Sequence, residues 1–369
     1  MDDVFPHANS NTAPAAQTSV DGAFVREQWY YALPSTALKP GAMVHRTLLG
    51  EPVLIGRNGN GAVFALCDTC PHRGTLLSRG SFDGREVQCP YHGWRFRTDG
   101  QCTAIPSQTE AQKPQAVDIR AKTYPVTEHQ GNIWVFIGNN ENAATADLPP
   151  VPEVPALGSH FQLHVSLRFA CNIDLAVIGL MDPAHGAFVH RSRVWRSEGS
   201  IHEKHKAFSP LPESDGLGWR MDRHTASRNS KAYQLFLGSA PETEITYRMP
   251  SVRTEHAHTK KYDYCGLTAC TPVNDHETDV HHVMYWNVPG GALLRPLVRA
   301  FAWRFLDQDR RAVMAMSEGL AFDPPTMLVQ DADTQTRWYY RLKREVLAAQ
   351  DEGRAPRNPI TPTTLTWRS

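Results

Sequence analysis

The chain has 369 residues, which is longer than one compact core usually allows and predicts two domains. Its composition, 41% apolar and 21% charged, is that of an ordinary globular protein, and a formal net charge of zero excludes an electrostatic footprint for nucleic acid or an anionic membrane. Seven cysteines are few and odd in number, which argues against a disulfide scaffold and predicts a reducing, cytoplasmic compartment.

The first 140 residues predict a tail and then a small all-β domain. Residues 1–22 are acidic, then small and polar, which predicts a disordered tail without a secretory signal. From 23 to 140, short runs such as MVHRTLL, PVLIGR and GNIWVFIG alternate with glycine-bearing turns. NGNG between two apolar runs indicates a β-hairpin, and no long helical period appears.

A proline-rich stretch, residues 141–157, carries four prolines without apolar periodicity and is typical of a linker. From 158 to 369, strand-like runs, KAYQLFLG among them, are grouped with helical patterns at 173–190, 293–317 and 333–349. This grouping predicts an α+β domain in which helices cover an antiparallel sheet, a helix-grip-like arrangement. Arginines interrupt the most apolar segment, 290–309, so we interpret it as an amphipathic helix packed inward.

Three cysteines and two histidines crowd into CDTCPHRGTLLSRGSFDGREVQCPYHGW. Cys70-x-His72 and Cys89-x-x-His92 are separated by sixteen residues and lie on two loops between strand-like runs. Zinc accepts this ligand set, but its usual sites take both cysteines from one place and both histidines from another. In a Rieske [2Fe–2S] cluster two histidines replace cysteines on one iron, so one cysteine and one histidine per loop suit it better. Cys67 resembles half of a zinc knuckle, but no second pair exists, and we expect a buried strand thiol.

CPHRGTLLSRG followed by CPYHGWRFRTDGQCTAIP resembles the Rieske domain of Rieske non-heme iron ring-hydroxylating oxygenases, in the monooxygenase and O-demethylase branch of their large subunits. The resemblance is dense across residues 70–106. It implies an N-terminal Rieske domain at 23–140 and a mononuclear iron catalytic domain at 158–369. A second metal site should then receive the electrons.

NIDLAVIGLMDPAHGAFVHRS contains Asp182-x-x-His185-x4-His190, and D-x-x-H-x4-H is what the resembled family carries at this point. In a chain with 17 histidines the pattern is weak alone, but beside a Rieske motif it fits the two-histidine, one-carboxylate site of an O2-binding Fe(II). On a regular helix His190 would lie about 140° around from His185. Both can bind one iron only if the helix breaks, and we expect the break at Pro183 and Gly186.

The resemblance implies different roles for the nearby acids. It assigns to Asp182 a hydrogen bond that joins a ligand histidine to a Rieske histidine of the neighbouring subunit, here His92, so that electrons pass between chains. The third iron ligand should then come from a distant helix. The family has an acid after Gln or Glu near the end of a long helix, which favours Asp309 in LDQDRRAVMAM, with Asp331 in LVQDADTQTRW as the alternative. Otherwise such acids, including Asp307 and Asp333, are solvated surface charges.

The sequence departs from the family where many members have Asn or Glu-Asn, six or seven residues before the first histidine. Here Ile178 and Gly179 stand instead, so a polar side chain that would steady the iron is missing. We expect the substrate pocket among residues 195–290. Without an obvious basic cluster, the sequence gives little support to a polyanionic substrate. The histidines of this region are expected to be surface or pocket groups and not ligands: His202, His224, His256, His258, His281 and His282.

These patterns predict a terminal oxygenase component that uses O2 to hydroxylate, or oxidatively O- or N-dealkylate, an aromatic or alicyclic small molecule. Its cofactors would be a Rieske [2Fe–2S] cluster and a mononuclear non-heme Fe(II). A separate ferredoxin or reductase would donate electrons, since no flavin or nicotinamide motif is present, and electron transfer between subunits suggests a homotrimer. The alternatives are an electron-transfer or ligand-binding protein with a degenerate second domain, and a zinc-stabilised interaction module.

Overall fold

The computed structural model describes residues 23–109, 111–112, 118–138, 148–157, 160–190, 201–225, 237 and 241–369. The predicted tail at 1–22 and nearly all of the predicted strand KAYQLFLG lie outside the described residues.

Short strands make up the first part of the chain, as its alternation of apolar runs and turns predicts. They form three antiparallel sheets with the orders β1-β10-β9, β2-β3-β4 and β5-β6-β7-β8. NGNG joins β3 to β4, and Gly61 adopts a φ of 95° there, so the predicted hairpin is confirmed. The strands are β1 Gln28–Pro34, β2 Met43–Leu48, β3 Glu51–Arg57, β4 Val63–Cys67, β5 Ser81–Phe82, β6 Glu86–Gln88, β7 Arg95–Arg97, β8 Cys102–Ala104, β9 Val126–His129 and β10 Asn132–Ile137.

The second part is an eight-stranded antiparallel sheet with helices packed on it, so the predicted α+β class is confirmed. Its order is β11-β17-β16-β15-β14-β13-β12-β18. The strands are β11 Phe161–Phe169, β12 Glu203–Pro210, β13 Gly218–Thr225, β14 Glu242–Arg248, β15 Val252–His258, β16 Asp263–Asn274, β17 Glu277–Trp286 and β18 Thr363–Arg368.

The helices with their bounds are α1 Ile173–Met181, α2 Gly186–Val189, α3 Arg295–Leu320 and α4 Thr334–Asp351. The helical pattern at 173–190 is divided into two helices, because the chain leaves the first helix at Asp182, just before Pro183. The patterns at 293–317 and 333–349 correspond to α3 and α4. Within the described residues, no helix has the length and apolar character that crossing a bilayer requires.

A buried ion pair fixes α1 against α4. The Lys343 ammonium lies 2.6 and 2.8 Å from the two carboxylate oxygens of Asp174, and both side chains are 1% exposed. The Tyr339 hydroxyl also donates to Asp174. A buried pair of this kind is costly to break from one side, since the remaining charge is left without a partner. It therefore holds the beginning of α1 in a defined place against α4.

The predicted linker is partly packed against both parts. Residues 141–147 lie outside the described residues, but Val154 is buried, and its N–H and C=O are hydrogen-bonded by the Gln130 side chain. Val154 belongs to an apolar cluster that also contains Trp29 of β1 and Leu267 of β16. The two sheets therefore share a core, and the domain boundaries stay a prediction.

Two candidate metal centres

Two matching tight turns carry the cysteine and histidine pairs. In the first, which follows β4, the Gly74 N–H donates to the Cys70 carbonyl; in the second, between β6 and β7, the Gly93 N–H donates to the Cys89 carbonyl. Gly74 and Gly93 have φ angles of 73° and 72°. This left-handed conformation favours glycine, which explains why each pair is followed by one.

The side chains of the two turns converge. Cys70 and Cys89 are each 2% exposed, and the His72 and His92 ring centroids lie 4.8 Å apart. Burial, together with the neighbouring Cys89, raises the pKa of Cys70 to about 11, so a bound metal would have to displace the proton of this thiol. The buried His92 Nδ1 has no hydrogen-bond partner among the described residues. Two thiols, two imidazoles and this orphaned nitrogen fit a [2Fe–2S] group.

Asp68, which no sequence motif indicated, supports the first turn. Its carboxylate is completely buried and accepts hydrogen bonds from the Ser78 N–H and hydroxyl, both at 2.6 Å. His45 Nδ1 contacts the same carboxylate at 2.6 Å. Cys67, immediately before it, ends strand β4 and is half-buried, as a bystander thiol.

A second group brings together His185 and His190, which flank the two ends of α2, and Asp309 of α3. The His185 and His190 Nε2 atoms are 3.2 Å apart, and they lie 3.4 and 3.1 Å from one Asp309 oxygen. Ligand atoms that sit about 2.1 Å from one metal at right angles are separated by about 3 Å. The three atoms therefore have the spacing of a facial triad, which leaves the opposite positions open.

The predicted helix break is confirmed, and it is what brings the two histidines together. Asp182 has a ψ of 120°, and its carboxylate caps the new turn by accepting the Ala184 N–H at 2.7 Å. A short helix then starts after His185, whose carbonyl accepts from the N–H groups of Phe188 and Val189. The break removes the angle of about 140° that a continuous helix would put between the two imidazoles.

The imidazole of His190 is held from two sides. Its Nδ1 lies 3.1 Å from the Gln308 side-chain oxygen, so Nδ1–H donates and Nε2 is directed to Asp309. Its ring stacks on Phe305 with the centroids 3.6 Å apart. One signal for Gln308 is present in the sequence: it stands one position before Asp309, as a Gln or Glu does in the resembled family.

Charges inside the triad shift its pKa values in opposite directions. Burial alone would raise the pKa of Asp309, but hydrogen bonds and charge from His185 and His190 lower it overall. Burial alone would lower the pKa of His185, and the Asp309 carboxylate raises it overall. Asp309 and His185 thus each stabilise the charged form of the other.

Asp182 lies beside the triad and does not belong to it. Its carboxylate is 3.8 Å from the buried His185 Nδ1, which has no hydrogen-bond partner among the described residues, and its side chain is 35% exposed. Burial raises its pKa. The other acids lie elsewhere. Asp307, which we expected to be a solvated surface charge, is instead buried at 2% exposure and pairs with two arginines, and Asp331 accepts the Thr366 N–H at 2.9 Å.

A cavity of about 480 Å³ opens beside the triad. Its walls come from strands β12 to β17, as expected, and also from the end of α1 and from α3, which the predicted range 195–290 omitted. Apolar side chains such as Met221, Ile245 and Phe301 line much of it. Burial, followed by the charge of Arg253, lowers the pKa of the lining His282 to about 4, so this imidazole is neutral near pH 7.

One wall of the cavity is basic, which the sequence did not show, although the acids Glu203 and Glu255 also line the cavity. Lys204, Lys206 and Arg253 line it. Lys204 donates to Ser369, and Arg253 pairs with Glu255 at 3.0 Å. Burial lowers the pKa of Lys206, and no acid in the described part of the chain forms an ion pair with it. Lys204 and Lys206 lie on β12, whereas Arg253 lies on β15. The sequence therefore does not show that the three cations share one wall.

Comparison with known proteins gives matches over both parts of the chain. The family model "Rieske [2Fe-2S] domain" matches residues 28–125, and the model "Vanillate O-demethylase oxygenase C-terminal domain" matches residues 169–349. Chloroplastic chlorophyllide a oxygenase of Arabidopsis thaliana is 27% identical over 79% of this chain and 52% of its own length. The iron-sulfur subunit of the toluene-4-sulfonate monooxygenase system of Comamonas testosteroni is 33% identical over 53% of each chain.

The chain therefore spans about half the length of these curated relatives. Among solved structures, dicamba monooxygenase bound to dicamba superposes with a TM-score of 0.72 at 21% identity and covers 89% of this chain and 99% of the other. At this identity the likeness shows a shared fold.

Proposed function

Because this chain belongs to the Rieske non-heme iron oxygenase family, we propose that it is the terminal oxygenase component of a multicomponent system, acting as a monooxygenase or demethylase. The observation that carries the proposal is the triad of His185, His190 and Asp309, with its facial spacing and its open side toward the cavity. The thiols and imidazoles of Cys70, Cys89, His72 and His92 would hold the second cofactor.

When bound, the cluster supplies single electrons and the mononuclear iron supplies O2 activation. The protein's own contribution is to hold the donor atoms in place, keep His190 in one tautomer through Gln308, and enclose a substrate beside the open positions. The proposed reactions are hydroxylation and oxidative O- or N-dealkylation of an aromatic or alicyclic small molecule.

Electrons would come from a separate ferredoxin or reductase and pass between subunits of a homotrimer. Asp182 is the proposed bridge to His92 of a neighbouring subunit. This role is supported by its carboxylate, which lies 3.8 Å from His185 Nδ1 and is 35% exposed, so that a second subunit could contact it. A cytoplasmic location is proposed because the seven cysteines are all free thiols.

The decisive variant is His185→Ala. Its mononuclear iron and O2-dependent turnover should be lost, while the visible and reduced EPR spectra of the cluster stay intact, because the two donor sets lie on separate turns. His129→Ala, which removes a half-exposed imidazole from β9, is the matched control and should keep both. Undiminished turnover of His185→Ala would contradict the proposed mechanism, and a colourless wild-type protein would support the zinc alternative.

The basic wall favours a substrate that carries one acidic group. Lys206 is a half-buried cation with no acid paired to it in the described residues, and an anion bound there would restore its lost solvation. One relative is named for a sulfonate, toluene-4-sulfonate.

The test is coupled O2 consumption with methoxylated, N-methylated and unsubstituted compounds, each as an acid and as its neutral amide. Lys206→Met should raise KM for the acids by about 10-fold or more, the worth of one charge-assisted hydrogen bond, and leave KM for the amides unchanged. Arg57→Met, on the distant strand β3, is the control. Equal effects on both substrate sets would exclude a role for this cation in recognising the acid.

A further inference from the structure

A second cluster of histidines and a carboxylate lies on the hairpin formed by β15 and β16, outside the cavity. His256 and His258 alternate along β15 and therefore project on the same face of the sheet. Asp263, the first residue of β16, pairs with His258 across the hairpin. The turn between the strands is closed by a backbone hydrogen bond from Thr259 to Tyr262.

The donor atoms converge on one carboxylate oxygen. Asp263 Oδ1 lies 3.0 Å from His256 Nε2 and 2.7 Å from His258 Nδ1. All three donor atoms lie within 4.8 Å of one another. A tetrahedral zinc-like ion needs ligand atoms about 3.3 Å apart, which small rotations of the two imidazoles would provide.

The carboxylate is oriented from behind. The Asn287 amide donates to Asp263 Oδ2 at 3.2 Å, and the Asn287 side-chain oxygen accepts from the Asp263 N–H at 2.8 Å. Oδ1 is thereby directed between the two imidazoles. Support of this kind around a ligand is typical of metal sites.

The position is accessible. His258 is 44% exposed, whereas His256 and Asp263 are 13% and 21% exposed. An ion could enter from the solvent past His258 and keep water as its remaining ligand.

We propose that His256, His258 and Asp263 form a second mononuclear site, which binds a divalent transition-metal ion such as Zn²⁺ or Co²⁺ and ties β15 to β16. Two imidazoles select borderline ions over Mg²⁺ and Ca²⁺, which prefer all-oxygen sites. The site is independent of the proposed oxygenase function, because none of its three residues lines the cavity. It places His256 and His258 among metal ligands, contrary to the sequence expectation.

The test is Co²⁺ binding to the full-length protein after its cluster and mononuclear iron have been loaded, measured by metal analysis and by visible absorption after desalting. Wild type should retain one extra Co²⁺ per chain. His256→Asn/His258→Asn should retain none, with its Rieske spectrum and turnover unchanged. His276→Ala, which removes an exposed histidine from the neighbouring hairpin, should bind Co²⁺ as wild type does.

The single variant His258→Ala keeps the test valid if the double variant does not fold. It removes the most exposed of the three proposed ligands, so the protein should fold, and it should also lose the extra ion. Retention of the extra Co²⁺ in both variants, equal loss in His276→Ala, or no extra Co²⁺ in wild type would each overturn the proposal. Loss of the mononuclear ligand in His185→Ala should leave the extra Co²⁺ in place, so failure of this site and failure of the proposed oxygenase site give different results.

Discussion

At the scale of single residues, the tautomer of His190 depends on Gln308. The Gln308 side-chain oxygen is the acceptor 3.1 Å from Nδ1, and it leaves Nε2 free to face Asp309. Replacing Gln308 with Leu removes the acceptor, so His190 can adopt the other tautomer or rotate. We expect affinity for Fe²⁺ or Co²⁺ at the triad to fall by about 10–100-fold, measured by anaerobic titration.

Gln308→Glu is the matched control for this prediction. It keeps an acceptor of the same length, so metal affinity should stay near that of wild type or rise, because an anionic acceptor makes the imidazole a stronger donor. An unchanged dissociation constant for Gln308→Leu would show that the stack on Phe305 alone orients the ring.

At the scale of secondary-structure elements, Gly179 allows α1 to approach α3. A Cβ at this position would lie 2.4 Å from the Val313 Cγ2 atom, closer than real Cβ contacts. The β-branched Val313 has little freedom to move away. Val313 therefore occupies the space that a polar side chain at position 179, as in many family members, would need.

Gly179→Ala should destabilise the protein by about 1–3 kcal/mol through overpacking, although alanine is the better helix former. Gly319→Ala is the control, since that helical position of α3 has nothing within 4 Å and should gain up to about 1 kcal/mol. The readout is the midpoint of thermal unfolding. Adding Val313→Ala should remove most of the effect of Gly179→Ala; a Gly179→Ala protein that melts above wild type would contradict the close approach.

At the scale of the whole molecule, the proposed electron transfer between the subunits of a homotrimer predicts complementation between two inactive variants. His92→Ala would lack the cluster and keep the triad, and His185→Ala would lack the triad and keep the cluster. A closed ring of three that contains both variants has a single interface at which an intact cluster faces an intact triad. Co-expressed, doubly tagged mixed trimers should therefore show about a third of wild-type turnover.

Each variant alone is the control and should be inactive. Transfer within one chain would leave the mixed trimers inactive as well, which would exclude Asp182 as a bridge between subunits. The mass of the purified protein in solution tests the trimer separately.

The amino-acid sequence determined the fold class and the local chemistry of both centres. Apolar runs between glycine turns produce the first three sheets. The two turns CPHRG and CPYHG are each encoded within five consecutive residues, and the helix break at Asp182 is encoded by the Pro183 that follows it. Such features depend on local backbone preferences, which short stretches of sequence carry.

Only the tertiary structure decided which distant residues meet. It brings Asp309, and not Asp331, to the two histidines more than a hundred positions earlier. It assembles Lys204, Lys206 and Arg253 into one wall of the cavity. It also places the imidazoles of His256 and His258 against the Oδ1 atom of Asp263. It also shows that Val313 fills the space a side chain at position 179 would need. These contacts depend on the registers of strands and the crossing of helices, which the packing of the whole core selects and no local pattern encodes.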